Sequence, residues 1–365
     1  MEQKKKKARV IAFYLPQFHP IPENDEWWGK GFTEWTNVGK AKRYFPGHYQ
    51  PRIPADLGYY DLRVPETREA QAELARKAGI EGFAYWHYWF GNEKRLLERP
   101  FSEVLNSGKP DYPFCLAWAN EDWKGFAHGL KDRNTFIKQE YPGVDDYTNH
   151  FYNVLPAFKD KRYIKVDGKP LFLIYKPLIS HEVSVFIETW RRLAKENGLE
   201  DIYFVGQCHY RVDLELTKSL DLDAINNMIG LNNYKVQRNK IFRYLYGIFR
   251  TLFNQPYVIS YKKISRFLFD RNIDTNENII PSIIAGWDHT PRSSCYGTVW
   301  HNYTPELFYK HIKCIIQNTN DNPGIIFIKS WNEWAEGNYL EPDLKWGRQF
   351  LDALWRAINE NICSK

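Results

Sequence analysis

Cysteine is scarce in this sequence, five residues in 365, and Cys115, Cys208, Cys295, Cys314 and Cys363 lie far apart with no Cys-x-x-Cys pair. That pattern suits a reducing compartment rather than a disulfide framework. No stretch approaches 18 uncharged apolar residues, so no membrane-spanning helix is expected. The opening MEQKKKKARVIAFYLPQF is basic, but Pro16, Gln17 and His19 break its apolar run and no small-residue cleavage site follows. It reads as lacking a signal peptide, and a cytoplasmic protein is expected. Also missing are the Gly-x-Ser-x-Gly elbow, the P-loop, His-Glu-x-x-His and the glycine fingerprint of dinucleotide-binding folds. The scattered histidines lack metal-ligand spacing, so neither a metal nor a cofactor is expected. Finally, Leu231 to Phe269 contains no acidic residue against eight basic ones, Lys235, Arg238, Lys240, Arg243, Arg250, Lys262, Lys263 and Arg266. Taking those eight from the net +6 leaves −2 for the rest, which does not describe a nucleic-acid-binding surface.

What is abundant is aromatic side chain: 14 Trp, 24 Tyr and 23 Phe, or 17% of the chain. Aromatic rings carry large buried area, and their faces also stack on sugars or bases. With 43% hydrophobic residues and one short charge run, the chain has the makings of a sizeable core. Its length exceeds the usual single domain but suits one α/β barrel with insertions.

Eight short β-branched and aromatic runs bounded by turn residues read as strands: 9–18, 82–90, 112–120, 170–177, 201–209, 222–228, 279–287 and 324–331. Between most of them lie segments of helical period. Ala70, Leu74, Ala75 and Ala78 follow Pro65 and stop at Gly79. Val183, Phe186, Trp190, Leu193 and Ala194 precede Gly198. Leu307, Phe308, Ile312, Ile315 and Ile316 follow Thr304-Pro305. Eight nearly continuous apolar strands alternating with helices predict a parallel, doubly covered sheet closed as a (β/α)8 TIM-type barrel, a single catalytic domain over 1–365. Residues 19–64 predict a long loop after the first strand, and 229–277 a basic, aromatic-rich insertion between the sixth and seventh.

A barrel of this kind places its active site at the carboxyl ends of the strands. There the chain turns polar each time: Gln17 and His19; His87 and Tyr88; Asn120, Glu121 and Asp122; Tyr175 and Lys176; Gln207 and His209; Asn226 and Asn227; Asp288 and His289; then Asn332, Glu333 and Glu336. A lone strand-end histidine such as His87 is more often structural than functional. The last cluster stands out, because KSWNEWAEGNYLEPD sets Glu333 and Glu336 among Trp331 and Trp334, and carboxylates rarely sit among large aromatics unless something pairs with them or uses them. Two readings follow: a salt-bridged corner at the barrel rim, or a glycosidic acid/base pair whose repulsion and Trp-lined wall push the two pKa values apart. Asp221-Leu222-Asp223 matches the Asp-x-Asp pattern of nucleotide-sugar transferases, but it precedes its strand, on a barrel's inert side.

The stretches AFYLPQFHPIPENDEWWGKGFTEWTNV (12–38), GFAYWHYWF (82–90), AWANEDW (117–123), GWDHTPR (286–292) and SWNEWAEGNYLEP (330–342) together resemble the WbsX-type proteins, often called glycosyltransferases in polysaccharide gene clusters. Their catalytic domain is similar to glycoside hydrolase family 99, whose members are (β/α)8 barrels acting on α-mannosides with retention. The resemblance implies that Glu333 is the base acting on the sugar 2-hydroxyl through an epoxide-like intermediate, and that Glu336 is the general acid, then base. It further implies substrate-binding roles for Asp288 and Arg292 and, within the matching stretches, for His19, Glu34, Trp35, His87, Tyr88, Trp118, Asn120, Asn332 and Trp334.

The function expected is a retaining α-glycosidase, α-mannosidase-like, or a transglycosidase acting on an oligosaccharide or polysaccharide of the bacterial surface. The alternatives are a glycosyltransferase of O-antigen or capsule synthesis and an inactive glycan-binding module. The insertion, with KIFRYLYGIFRTLF interleaving aromatics and leucines with arginines, is expected to touch an anionic membrane surface through 231–269, at the periphery of the inner membrane. The plainer reading is a solvated basic helix or a lid over the site. Oligomeric state is left open.

Overall fold

A computed structural model describes residues 8–125, 135–233, 240–319 and 323–363. Lys235 and Arg238 of the basic segment and the N-terminal lysines lie outside the described residues, as do the side chains of Lys240, Arg243 and Cys363. The strands that form the barrel are β1 (Arg9–Tyr14), β2 (Gly82–Trp89), β3 (Phe114–Trp118), β4 (Lys169–Ile174), β5 (Tyr203–Cys208), β6 (Ala224–Asn227), β7 (Ile279–Ile280), β8 (Ser282–Ile284) and β9 (Ile325–Lys329). They are hydrogen-bonded in the order β7-β6-β5-β4-β3-β2-β1-β9-β8, every pair parallel.

The expected strand 279–287 is thus shorter and broken in two. Proline has no N–H for the ladder, and Pro281 marks the break: Ile279 pairs with Ile225 on one side, whereas Ser282 pairs with Phe327 on the other. One strand position therefore joins both edges and closes the barrel. Asn226 spans the break, donating to Ile280 O at 3.0 Å and Ser282 Oγ at 2.8 Å.

Helices Pro65–Lys77, Arg99–Ser107, Val144–Phe158, Glu182–Glu196, Leu214–Lys218, Pro305–Asn318 and Gln349–Cys363 cover the outside. Because the sheet is covered on both faces, β2 is buried at all eight positions. Inside, Phe13 stacks on Trp86 at 4.8 Å and meets Phe327 at 5.1 Å. Outside, Trp190 is fully buried against Phe172 and Phe186. Val183, Phe186, Trp190, Leu193 and Ala194 all face the core as their spacing predicts. In Pro65–Lys77 the buried face is rotated from the predicted one: Ala70 is exposed and Gln71 buried, since Gln71 is drawn inward by Tyr14 and Glu341.

The two irregular regions hold more structure than loops. Residues 19–64 contain helices Pro22–Trp28 and Glu34–Gly39, the second closed by a capping box between Thr33 and Thr36. In the insertion, Tyr257–Ser260 pairs parallel with Thr298–His301, the segment after β8, so the insertion is stitched to the barrel mouth.

Candidate active site

Directly after β9 the chain forms a small ribbon, Asn332–Glu333 against Asn338–Tyr339, with Trp334–Glu336 as its turn. Gly337 closes that turn at φ +61°; a Cβ there would lie 2.6 Å from the Asp288 Cβ, so a side chain cannot be accommodated. Asn332 fastens the ribbon to the end of the first strand, accepting from Leu15 N at 2.7 Å and donating to Leu15 O at 3.0 Å. Trp334 stacks on Tyr339 at 3.8 Å and donates to Glu341, which also accepts from Gln71 and Tyr60. Asp288 grips the turn from the other side: its backbone N–H donates to Glu336 O at 2.6 Å. Its carboxylate accepts from His48, Gln50 and Thr290. Burial alone would raise the Asp288 pKa, but His48 and Arg52 outweigh it and hold the group below its ordinary value.

On this frame Glu333 and Glu336 share one cation. Lys329 Nζ lies 2.6 Å from Glu333 Oε2 and 3.5 Å from Glu336 Oε2. Glu333 also accepts from the Trp86 indole at 3.0 Å. Glu336 has a second cation, Arg292, at 2.6 Å; the same guanidinium donates to the buried Glu34 at 2.9 Å. The asymmetry separates the two acids. Burial pushes Glu333 up to about 7, with Lys329 opposing and Glu336 adding to the rise. For Glu336 burial also works upward, but Lys329, Arg292 and His289 overcome it and hold the carboxyl well below the usual range. These surroundings favour the proton on Glu333 over Glu336, whereas the family 99 resemblance makes Glu336 the acid. The physical reason is Arg292, which of the two acids of the pair touches only Glu336.

Glu336 and Lys329 line a cavity of about 660 Å³ beside Trp86, Tyr175, His209, Trp287 and His289, and Glu333 lies behind Lys329, outside the lining. Burial lowers both histidines, His209 to about 4 with help from Lys329 and Lys176. Glu336 Oε2 is buried and has no hydrogen-bond partner among the described residues, only the Lys329 ammonium at 3.5 Å. A cavity walled by aromatic rings and edged by Lys329 and Glu336 suits a hydroxyl-bearing ligand.

The expected site residues divide. Glu333, Glu336, Arg292 and Glu34 form one ionic network at the cavity, and Asp288 supports its turn. The others are committed elsewhere. Successive strand residues point to opposite faces, so Trp86 faces the lumen while His87 points outward to His150, Nε2 to Nε2 at 2.7 Å. Trp118 packs on Phe186 and donates to Trp89 O. Tyr88 is buried edge-on against Trp123, and Asn120 ties Lys176 to the chain after β3. His19 is buried against Pro16 O, Trp35 donates to Tyr60 O, and Asn332 and Trp334 hold the ribbon as described. Asp221 and Asp223 are both bound by Arg191, at 2.8 and 2.9 Å, which leaves no open diphosphate or metal pair. Among the described residues no cluster of His, Cys, Asp and Glu could hold a metal ion. Lys329 and Trp86 were not anticipated, although Trp86 lies within the matching stretch 82–90 and Lys329 directly precedes the stretch 330–342.

Residues 10–354 match the family described as Glycosyltransferase WbsX. The chain belongs to the WbsX family. Its relatives include the uncharacterized protein WxcX of Xanthomonas campestris pv. campestris, 34% identical over an aligned length of 370 that covers 98% of this chain and 51% of the relative. The WbsX-family chain thus spans about half the length of that protein. Among solved structures, the GH99 endo-alpha-mannosidase of Bacteroides thetaiotaomicron superposes with a TM-score of 0.59 at 15% identity, covering 97% of both chains. A glycoside hydrolase-like protein gives 0.62 at 15% identity, covering 99% of this chain and 95% of the other. The WbsX-family barrel is therefore a family 99-like fold.

Proposed function

We propose that this chain is a carbohydrate-active enzyme that cleaves or transfers an α-linked glycan with retention, using Glu333 and Glu336 as its acid/base pair. The observation that carries the reading is the pair itself: two buried carboxyls bridged by Lys329, one raised to about 7 and one held ionised, beside an aromatic cavity. One group that keeps its proton near neutral pH and one that is charged are what glycosidic chemistry asks for.

The role order follows the family resemblance. Glu333 removes the proton of the sugar 2-hydroxyl, whose oxygen closes on the anomeric carbon as the leaving oxygen takes a proton from Glu336. Glu336 then draws a proton from water or an acceptor hydroxyl, whose oxygen attacks the anomeric carbon and opens the three-membered ring, while Glu333 returns its proton to the 2-oxygen. Glu336 borders the cavity, as a proton donor to a leaving group must. Since the free protein favours the proton on Glu333, this order needs that proton to pass to Glu336 as the sugar binds.

The test is product formation from an array of α-linked oligosaccharides, with and without nucleotide sugars, comparing wild type with Glu333→Gln and Glu336→Gln. Cleavage without a donor that is lost in both variants supports the reading. Donor-dependent transfer that survives in both would overturn it, and sugar binding without turnover would mark a binding module. An aryl α-glycoside with a good leaving group assigns the roles, because the variant lacking only the proton donor keeps activity on it. The order above expects that variant to be Glu336→Gln.

A further inference from the structure

The helix Lys240–Leu252 lies against the protein the wrong way round. In a surface helix the apolar stripe normally faces the core and the polar face meets water. Here Tyr244, Leu245, Ile248, Phe249 and Leu252 form the outward stripe, at helical spacing, and Phe253 extends it; Leu252 is 71% exposed and Phe253 61%. The residues turned inward include an arginine. Arg250 donates to Gln255 O and Cys295 O and lies over the Tyr257 ring, while the Tyr246 hydroxyl accepts from Val258 N. The orientation is fixed by these bonds, so the apolar face is held outward.

Charge decides what can cover that face. The segment Leu231 to Phe269 has eight basic residues and no acidic one. Lys262, Lys263 and Arg266 follow the helix and are exposed. A second copy meeting the same face would set basic segment against basic segment, which costs energy at close range. A surface that takes apolar side chains to shallow depth and offers a layer of negative charge fits both features. We propose that the outer face of helix Lys240–Leu252 docks on an anionic phospholipid bilayer. The same docking sets the cavity beside the lipid surface, because the helix is anchored at Cys295 and Tyr257 N bonds Gly297, a residue of the cavity lining. It stands independently of the reaction assigned above.

The test is flotation of the full chain with vesicles of phosphatidylcholine alone and vesicles half phosphatidylglycerol, at low and high salt. Wild type is expected to float with the anionic vesicles only, and less so at high salt. Leu245→Ser/Phe249→Ser/Leu252→Ser and, separately, Lys262→Glu/Lys263→Glu should each cut the bound fraction by about tenfold or more. These side chains are exposed, so melting temperatures should match wild type and mark any loss as a surface effect. No flotation with anionic vesicles would overturn the proposal, as would equal flotation with neutral ones. A concentration-dependent dimer that the triple variant abolishes would also overturn it, in favour of a second copy.

Discussion

The corner after β9 and the helix Lys240–Leu252 are both rich in aromatic residues, yet they use them in opposite senses. At the corner Trp331 and Trp334 are fully buried, and the carboxylates beside them are paired, bridged or triply hydrogen-bonded. On the helix Tyr244 and Phe249 point to solvent, whereas Tyr246 and the one described arginine point in. Composition cannot separate these cases. The difference lies in what each segment packs against: the corner is enclosed at the barrel mouth, where a buried carboxylate is costly unless it is paired, and the helix sits on the rim with one side free.

If the corner is a chemical site and not merely a packed one, the largest effect should come from its two acids. Glu333→Gln and Glu336→Gln should each lower turnover of a cleaved α-glycoside by about 10²–10⁴-fold, with melting temperatures close to wild type; equal rates would reduce the corner to architecture. The pair's pH profile sharpens this. Glu333 binds its proton up to about pH 7, so activity should fall as pH rises through that value. Lys329→Met removes a cation that opposes the rise, and its basic limb should lie at higher pH than wild type.

Next in size is packing. Trp331→Ala should destabilise the fold by about 3–5 kcal/mol in denaturant titrations, since the ring is fully buried against Phe83. Glu341 gives a third contrast. Burial raises its carboxyl from 4.5 to about 7 despite three donors. The folded state therefore holds that proton more tightly than the unfolded chain. The resulting stabilisation is complete below about pH 4.5 and is lost as pH rises through 7, on the order of 3 kcal/mol in all. Glu341→Gln should flatten that slope in unfolding measured from pH 4 to 8. The smallest effect belongs to the helix: Leu252→Ser should shift stability by less than about 0.5 kcal/mol, and a larger loss would mean its face is covered after all.

Much of this could be read from the chain. The period of the apolar runs gave the strand positions, the change from apolar to polar at their ends gave the rim on which the candidate site lies, and the Glu-x-x-Glu spacing with its flanking tryptophans singled out the carboxylate pair. The less legible part was direction. His87 and Trp86 are neighbours in one fully buried strand, so nothing local says which faces the lumen; the inside became visible only once Phe13 and Glu333 were seen to claim Trp86. Asn120, Asn332 and Trp334 look like ligand-binding groups in sequence, and backbone amides and carboxylates use them first.

The sequence by itself determined the barrel, because alternating strand and helix periods leave few ways to bury so many apolar runs, and it determined which corner is unusual. Only the tertiary structure decided how the charges there are divided. Arg292 reaches Glu336 from 44 residues away and is itself held by Glu34, 258 residues before it, and a carboxyl's proton affinity depends on distances of a few ångströms that no local spacing encodes.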